Sequence, residues 1–275
     1  MAGSLSLVGT PIGNLGDLSE RARETLSVVD LVVAEDTRRT GRLLRAVGSR
    51  KPLLSMFEGN EDRRAEEIVA RIEGGEDVAV VTDGGMPSIS DPGYRLVRLA
   101  IDRGIEVRVV PGPSAAVAAL VVSGLPTDRF SFEGFLPRRR GDRSRRLDLL
   151  KADPRTLVLF ESPRRTVALL GELQEALGDR RVAVCRELTK LHEEVLRGSI
   201  AEVRDRLDDR DLRGEVVVVV AGADAGASAP DDDELVEEVL GLIAGGMRPR
   251  EAARAVAERH GASPNRLYRA TLEGS

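Results

Sequence analysis

One cysteine and two histidines in 275 residues leave little material for metal or thiol chemistry. Cys185 has no partner for an internal disulfide, and even with His192 and His260 it falls short of a cysteine-rich or histidine zinc site. No metal is expected, and no histidine-based nucleophilic triad. Aromatics are also scarce, with five phenylalanines, two tyrosines and no tryptophan, so extensive base stacking is not expected. The only lysines are Lys51, Lys151 and Lys190, arginine supplying every other basic side chain. Genomic base composition alone produces such a bias. A membrane helix needs roughly 18 uncharged apolar residues, and the longest apolar runs here, 115–122 and 216–221, fall far short. The start shows no basic segment followed by an apolar one, which sets the expectation of a cytoplasmic protein without membrane contact.

What is present is an ordinary globular composition, 41% hydrophobic and 32% charged, over a length that suits about two domains. Residues 5–8, 31–34, 78–82 and 107–110 read as strands, and 19–28, 37–47, 63–73 and 94–102 as helices. In the third helix Ala65, Ile68, Val69 and Ile72 share one face. This alternation predicts an α/β protein with a mainly parallel sheet covered on both sides. After a turn-rich 123–128 the pattern restarts, with strands at 130–135, 156–160, 182–185, 194–197 and 216–221 and helices at 164–177 and 200–207. The close succession of strands 182–185 and 194–197 predicts a mixed sheet there. A small-residue linker at 222–230 leads to helices at 234–244, 249–260 and 264–272. The last two, separated by a stop at Gly261 and a cap at Ser263, are spaced like a helix-turn-helix. The expected organisation is an α/β domain over 1–122, a second α/β domain over 123–225 and a small helical C-terminal domain over 226–275.

Three strands end in loops of glycine, proline and serine. The first is Gly9-Thr-Pro-Ile-Gly13-Asn-Leu-Gly16. Its glycines let backbone approach a ligand at the carboxyl end of a parallel strand, where open α/β sheets bind. Their spacing is not that of a dinucleotide fingerprint, and Pro11 removes an N–H that a phosphate cradle would use, which disfavours a nicotinamide dinucleotide. The second loop, after the strand at 78–82, puts Asp83 beside two glycines; this carboxylate either receives bonds from a ribose or an amine, or serves a turn. In the third, Pro111-Gly-Pro-Ser-Ala115, Ser114 either caps the next helix or offers its hydroxyl and amides to a ligand. Loops of one composition at three strand ends favour one shared pocket. A separate signal is the segment 137–146, with six arginines against one aspartate in a chain of net charge −5. Such a run is commonly a solvated face, and in an RNA enzyme a phosphate-binding one.

Leu7-Val-Gly-Thr-Pro-Ile-Gly-Asn-Leu15, Ala34-Glu-Asp-Thr-Arg38, Ile89-Ser-Asp-Pro-Gly-Tyr94, Pro111-Gly-Pro-Ser-Ala115, Ser123-Gly-Leu-Pro-Thr-Asp128, Glu133-Gly-Phe-Leu-Pro137, Glu161-Ser-Pro163 and Arg186-Glu-Leu-Thr-Lys190 follow one another along the chain. In that order they resemble the tetrapyrrole methylase superfamily, and more narrowly its ribosomal RNA small subunit methyltransferase I branch. The segment from Arg250 to Leu272 is similar to that branch's small C-terminal domain. The resemblance implies two α/β domains of tetrapyrrole methylase type with S-adenosylmethionine in the cleft between them. It also implies 2′-O-methylation of a cytidine in the decoding region of 16S rRNA, within the 30S subunit, by a homodimer. The chain departs from the family pattern at Asp83-Gly-Gly-Met-Pro87, where Asp-Ala-Gly-Thr-Pro is usual, and at Phe57, Gly59 and Arg164, where histidines are common.

On that resemblance the cofactor-binding residues are Thr10, Pro11, Asp83, Gly84, Gly85, Met86, Ser114, Ala115 and Ser162. Arg38, Arg39, Arg138, Arg139, Arg140, Arg164 and Arg165 are the cations expected to meet RNA phosphates. Phe57, Phe135 or Phe160 could each stack on one flipped base. Methyl transfer from a sulfonium is an in-line displacement, so positioning supplies much of the catalysis. A ribose hydroxyl is a poor nucleophile at neutral pH, and a carboxylate or lysine in reach assists by taking its proton. Glu35, Asp36 and Lys190 are the leading catalytic candidates, with Asp83 and Glu187 also available. Each has a purely structural reading, Glu35 and Asp36 as caps of the next helix and Glu187 as the partner of Lys190. Two other functions fit parts of the sequence: a methylase acting on a tetrapyrrole, whose acidic substrate would also meet arginines, and a noncatalytic S-adenosylmethionine-binding regulator.

Overall fold

A computed structural model describes residues 2–223, 232–260 and 263–273, and its strands fall into two sheets of five. The first sheet holds β1 (Ser4–Val8), β2 (Leu31–Ala34), β3 (Leu53–Ser55), β4 (Val78–Val81) and β5 (Glu106–Val110). All are parallel, in the order β3-β2-β4-β1-β5. Helices α1 (Glu20–Val28), α2 (Thr37–Ala46), α3 (Glu61–Glu73) and α4 (Tyr94–Asp102) make the crossovers. The unbroken apolar runs of β2 and β4 suit strands covered on both faces, and successive residues feed two separate cores. Leu31, Val33, Val78 and Val80 pack with Ile68, Ile72 and Leu96 of α3 and α4, whereas Val32, Ala34, Ala79 and Val81 pack with Ala22, Leu26 and Leu44 of α1 and α2. Because the strands are parallel, every strand-end loop leaves from the same edge.

The second sheet runs β6-β7-β10-β8-β9, from β6 (Phe130–Phe135), β7 (Thr156–Glu161), β8 (Arg181–Arg186), β9 (Glu194–Ser199) and β10 (Val216–Val220). Only β6 and β7 are parallel neighbours, so the sheet is mixed, as expected. Helix α5 (Ala115–Ser123) follows the last strand of the first sheet but lays Ala116, Ala119 and Leu120 on Val158, Ala183, Val217 and Val219 of the second. The loop from Pro111 to Ser114 therefore spans from one sheet to the other. On the opposite face lie α6 (Arg140–Leu150), α7 (Thr166–Leu177) and α8 (Ile200–Leu207), the last started by a capping box of Ser199 and Glu202.

The expected strands and helices are found to within about two residues at their ends. Two elements have no counterpart in the sequence reading. β3 is a three-residue edge strand just after Pro52, too short for any period to show. α6 is hidden by its own arginines: its buried face is Arg143, Leu147 and Leu150, so a charged residue stands where an amphipathic pattern needs an apolar one.

Both sheets belong to one compact unit, Met1–Lys151 with Arg155–Ala221, and a second unit combines Ala152–Pro154 with Gly222–Ser275. In the second, α9 (Asp232–Ala244), α10 (Pro249–His260) and α11 (Pro264–Glu273) share a core of Leu235, Val239, Ala253, Val256 and Leu267. Residues 224–231 and 261–262, which hold most of the expected linker, the boundary near 225 and the stop at Gly261, lie outside the described residues. Among the described residues no helix is long and apolar enough to cross a membrane.

Candidate active site

A cavity of about 760 Å³ is lined by loops at the carboxyl ends of the first sheet's strands and by one edge of the second sheet. From the first sheet, the loop after β1 supplies Thr10 to Gly13, and the loop after β4 supplies Thr82 to Met86 and then Ile89 to Asp91. The turn into α5 supplies Ser114 and Ala115, and α2 supplies Arg39 and Arg42. From the second sheet come Phe135, the run from Phe160 to Pro163, Lys190 and the entry to β10. β10 runs antiparallel to β7, which brings its amino end to the edge where β7 finishes.

Close backbone packing holds the three glycine loops together. A Cβ on Gly9 would lie 2.6 Å from Gly112 N, and one on Gly112 would lie 2.8 Å from the Gly9 carbonyl carbon, so neither position has room for a side chain. Thr10 and Gly85 exchange both backbone hydrogen bonds, at 2.9 and 3.0 Å, as an isolated antiparallel bridge. The first loop is thus tied to the third at Gly9 and to the second at Thr10. One consequence is that the amides of Thr10 and Gly85 are occupied by each other. At its far end the first loop meets the second sheet, where a Cβ on Gly13 would collide with the Lys190 side chain.

The charged groups differ in how far they are committed. Asp36 is the N-cap of α2, accepting from Arg38 N at 2.7 Å and Arg39 N at 3.4 Å, and these backbone bonds hold its carboxyl below the ordinary range. Asp83 accepts from Arg39 Nη1 at 3.1 Å; burial nevertheless lifts its carboxyl, the arginine opposing. Glu35 is raised by burial and then by the Asp83 charge. Asp91 is pushed up to about 6, first by burial and next by repulsion from Glu35. Lys190 Nζ donates to Glu187 at 2.7 Å and Glu215 at 3.1 Å. Burial pulls its pKa down, but the hydrogen bond to Glu187 and the Glu215 charge outweigh it, and the ammonium is held above its usual value.

All nine expected cofactor residues line this one cavity, and Lys190 lines it as well. Glu35 and Asp36 do not. Of the expected phosphate contacts Arg39 lines the cavity, while Arg38, Arg138, Arg139, Arg140 and Arg164 are exposed and have no ion-pair partner among the described residues. Arg165 stands 3.8 Å from Glu161. The arginine-rich segment divides in two: beyond Arg140, Arg145 pairs with Asp142, Arg146 with Glu133, and Arg143 is buried between Glu161 and Glu172. Ser114 does cap α5, through Val117 N at 3.5 Å, and still lines the cavity. Asp91 and Arg42 were not singled out by sequence. Arg42 lies one turn beyond Arg38 and Arg39, and Asp91 lies in the Asp-Pro-Gly turn of the same loop as Asp83, so helical spacing and turn chemistry were the available signals.

The site is thus a glycine-lined cavity, walled partly by carboxylates, at the edges of two sheets of an α/β unit. A profile of Tetrapyrrole (Corrin/Porphyrin) Methylases matches residues 4–204, and one of the RsmI C-terminal HTH domain matches residues 229–275. The chain is 46% identical over 272 residues to the ribosomal RNA small subunit methyltransferase I of Mesorhizobium japonicum, covering 98% of this chain and 92% of that one. To the protein of the same name from Thermotoga maritima it is 50% identical over 220 residues, 80% of this chain and 99% of that one. The uroporphyrin-III-C-methyltransferase of Thermus thermophilus shares the fold with a TM-score of 0.57 at 23% identity, covering 80% of this chain and 94% of that one. The chain belongs to the tetrapyrrole methylase family, in its ribosomal RNA small subunit methyltransferase I branch.

S-adenosylmethionine is the cofactor of this family, and the cavity fits it. Its volume is that of a small-molecule site, and Ile12, Met86 and Val217 give it apolar wall. Asp83 supplies negative charge suited to a sulfonium or an ammonium. The buried Thr82 hydroxyl lines the cavity as well, on the side of the Asp91 carboxyl that it acts on. Among the described residues no three His, Cys, Asp or Glu side chains are grouped to hold a metal ion.

Proposed function

We propose that the chain methylates the 2′-hydroxyl of a cytidine in the decoding region of 16S rRNA, acting as a cytoplasmic homodimer on the 30S subunit. The observation that carries this reading is a methylase cavity accompanied by uncommitted arginines, in a chain whose near-full-length relatives are named ribosomal RNA small subunit methyltransferase I. Bound S-adenosylmethionine supplies a methyl group on a positively charged sulfur. The rest falls to side chains. Phe135 lies at the cavity with 61% of its surface exposed, its ring edge-on to Phe160 at 5.7 Å, and offers a face on which a displaced base can stack. Three residues further on begin Arg138, Arg139 and Arg140, free to meet phosphates. Lys190, kept charged by Glu187 and Glu215, holds anionic or hydroxyl oxygens and does not act as a base.

The test is incubation with radiolabelled S-adenosylmethionine and one of three acceptors: 30S subunits, protein-free 16S rRNA or a uroporphyrinogen. Label on the ribose of a single cytidine of the 30S subunit is expected. Label on the uroporphyrinogen instead, or cofactor binding with no transfer to any acceptor, overturns the proposal.

A further inference from the structure

Resting on the methyl-transfer reading above, we propose that Asp91 is the catalytic residue that takes the proton of the acceptor hydroxyl. The first argument is elimination by commitment. Asp36 and Glu35 do not line the cavity, and Asp36 is a helix cap. Of the other carboxylates at the cavity, Asp83 is tied to Arg39, Glu161 to Arg143 and Glu215 to Lys190, and Glu187, outside the lining, is tied to Lys190 and to Glu215 N at 3.0 Å. Asp91 lines the cavity and forms no salt bridge among the described residues. The second argument is the way it is held. The non-glycine residues with positive φ among the described residues are Ser88 (73°), Ser90 (61°), Glu187 (52°) and Thr189 (66°), and all fall in the two loops that bring Asp91 and Lys190 to this cavity. Backbone strain persists where the surroundings over-determine it, and it gathers at functional sites. Ser88 N closes the Asp91 loop onto Pro92 O at 3.3 Å, and the buried Glu61 carboxylate anchors its exit by accepting from Gly93 N at 2.9 Å and Arg95 N at 3.0 Å. Asp91 is thereby fixed on a rigid loop, the arrangement a proton acceptor needs.

Its electrostatics agree. The charged groups acting on Asp91 are Glu35, from the end of β2, and Asp83, from its own loop, both repelling; the Thr82 hydroxyl lowers it. A carboxyl near 6 is ionised at pH 7.5 and more basic than an ordinary aspartate. In the step itself the hydroxyl oxygen bonds to the methyl carbon as the carbon–sulfur bond breaks, the electron pair staying on sulfur, which becomes a neutral thioether. The hydroxyl proton passes to Asp91, which returns it to water.

The experiment compares wild type with Asp91→Asn on 30S subunits, with separate calorimetry of S-adenosylmethionine and filter binding of the subunits. Asp91→Asn is expected to lower kcat by roughly 100- to 1000-fold, as for loss of a general base, with both affinities within about threefold of wild type. The wild-type rate should rise with pH through about 6, a limb the variant lacks. Carboxyl carbon NMR should show one aspartate titrating near 6 in wild type and none there in the variant. Thr82→Val keeps the carboxylate, guards against a variant that fails to fold, and should move the limb to higher pH. An Asp91→Asn enzyme with wild-type kcat and an intact acidic limb, or a Thr82→Val limb that does not move, overturns the assignment. Wild type without transfer to 30S subunits overturns the methylation reading and this one with it, whereas active wild type with an equally active variant overturns Asp91 alone.

Discussion

A carboxylate kept ready to accept a proton burdens the fold, so Asp91→Asn is expected to stabilise the protein while it removes activity. The aspartate titrates at an ordinary 3.8 in the unfolded chain and at about 6 in the fold. A roughly hundredfold tighter hold on the proton corresponds to about 3 kcal/mol, at 1.36 kcal/mol per factor of ten. Asp91 is only half-buried, and solvent screening reduces this to about 1–2 kcal/mol. The sign follows from proton counting. Below 3.8 both states hold the proton and the group contributes nothing; between 3.8 and about 6 the folded chain keeps a proton that the unfolded chain has lost, so stability falls as pH rises; above about 6 the full penalty stands. Asparagine never ionises and escapes it. For a chain of this size about 1–2 kcal/mol is a rise in Tm of about 2–8 °C. Thermal unfolding of the two cofactor-free proteins by circular dichroism at pH 7.5 should show that rise, and near pH 4 it should shrink toward zero. Equal melting at pH 7.5, or a gain of the same size at both values, would refute the electrostatic account and assign the difference to packing.

The arginine-rich segment should behave as two different things. Alanine at Arg138, Arg139 and Arg140 together is expected to flatten the salt dependence of RNA binding by about 2 to 3 in slope, at about 0.7–0.9 per lost phosphate contact, with unchanged S-adenosylmethionine affinity. Wild-type RNA binding at every salt concentration would make these residues a solvated face. Arg143→Ala strands the buried Glu161 and should cost about 3–5 kcal/mol in denaturant unfolding; a loss under 1 kcal/mol would show that the buried pair is dispensable. Gly112→Ala puts a methyl group into the Gly9 backbone and should weaken S-adenosylmethionine binding at least tenfold by calorimetry, whereas wild-type affinity would mean that the loops separate without consequence.

How much of this was legible in the sequence depended on whether the deciding partner was local. The three strand-end loops could be read together because parallel strands must deliver their carboxyl ends to one edge, and Gly9, Gly85 and Gly112 do meet there. The start of α1 was readable for the same reason, since Ser19 finds its partner, Ala22 N, within its own turn. The arginines were not. Arg143 differs from Arg139 only through Glu161 and Glu172, which lie 18 and 29 residues away and reach it when α6 and α7 pack on the second sheet. The choice between Asp83 and Asp91 was equally hidden, because the residue that separates them is Arg39, 44 positions before Asp83 on another helix. Chain spacing can say that a loop carries carboxylates at a binding edge. Which of them is neutralised by a distant cation and which is left able to take a proton is decided by tertiary packing.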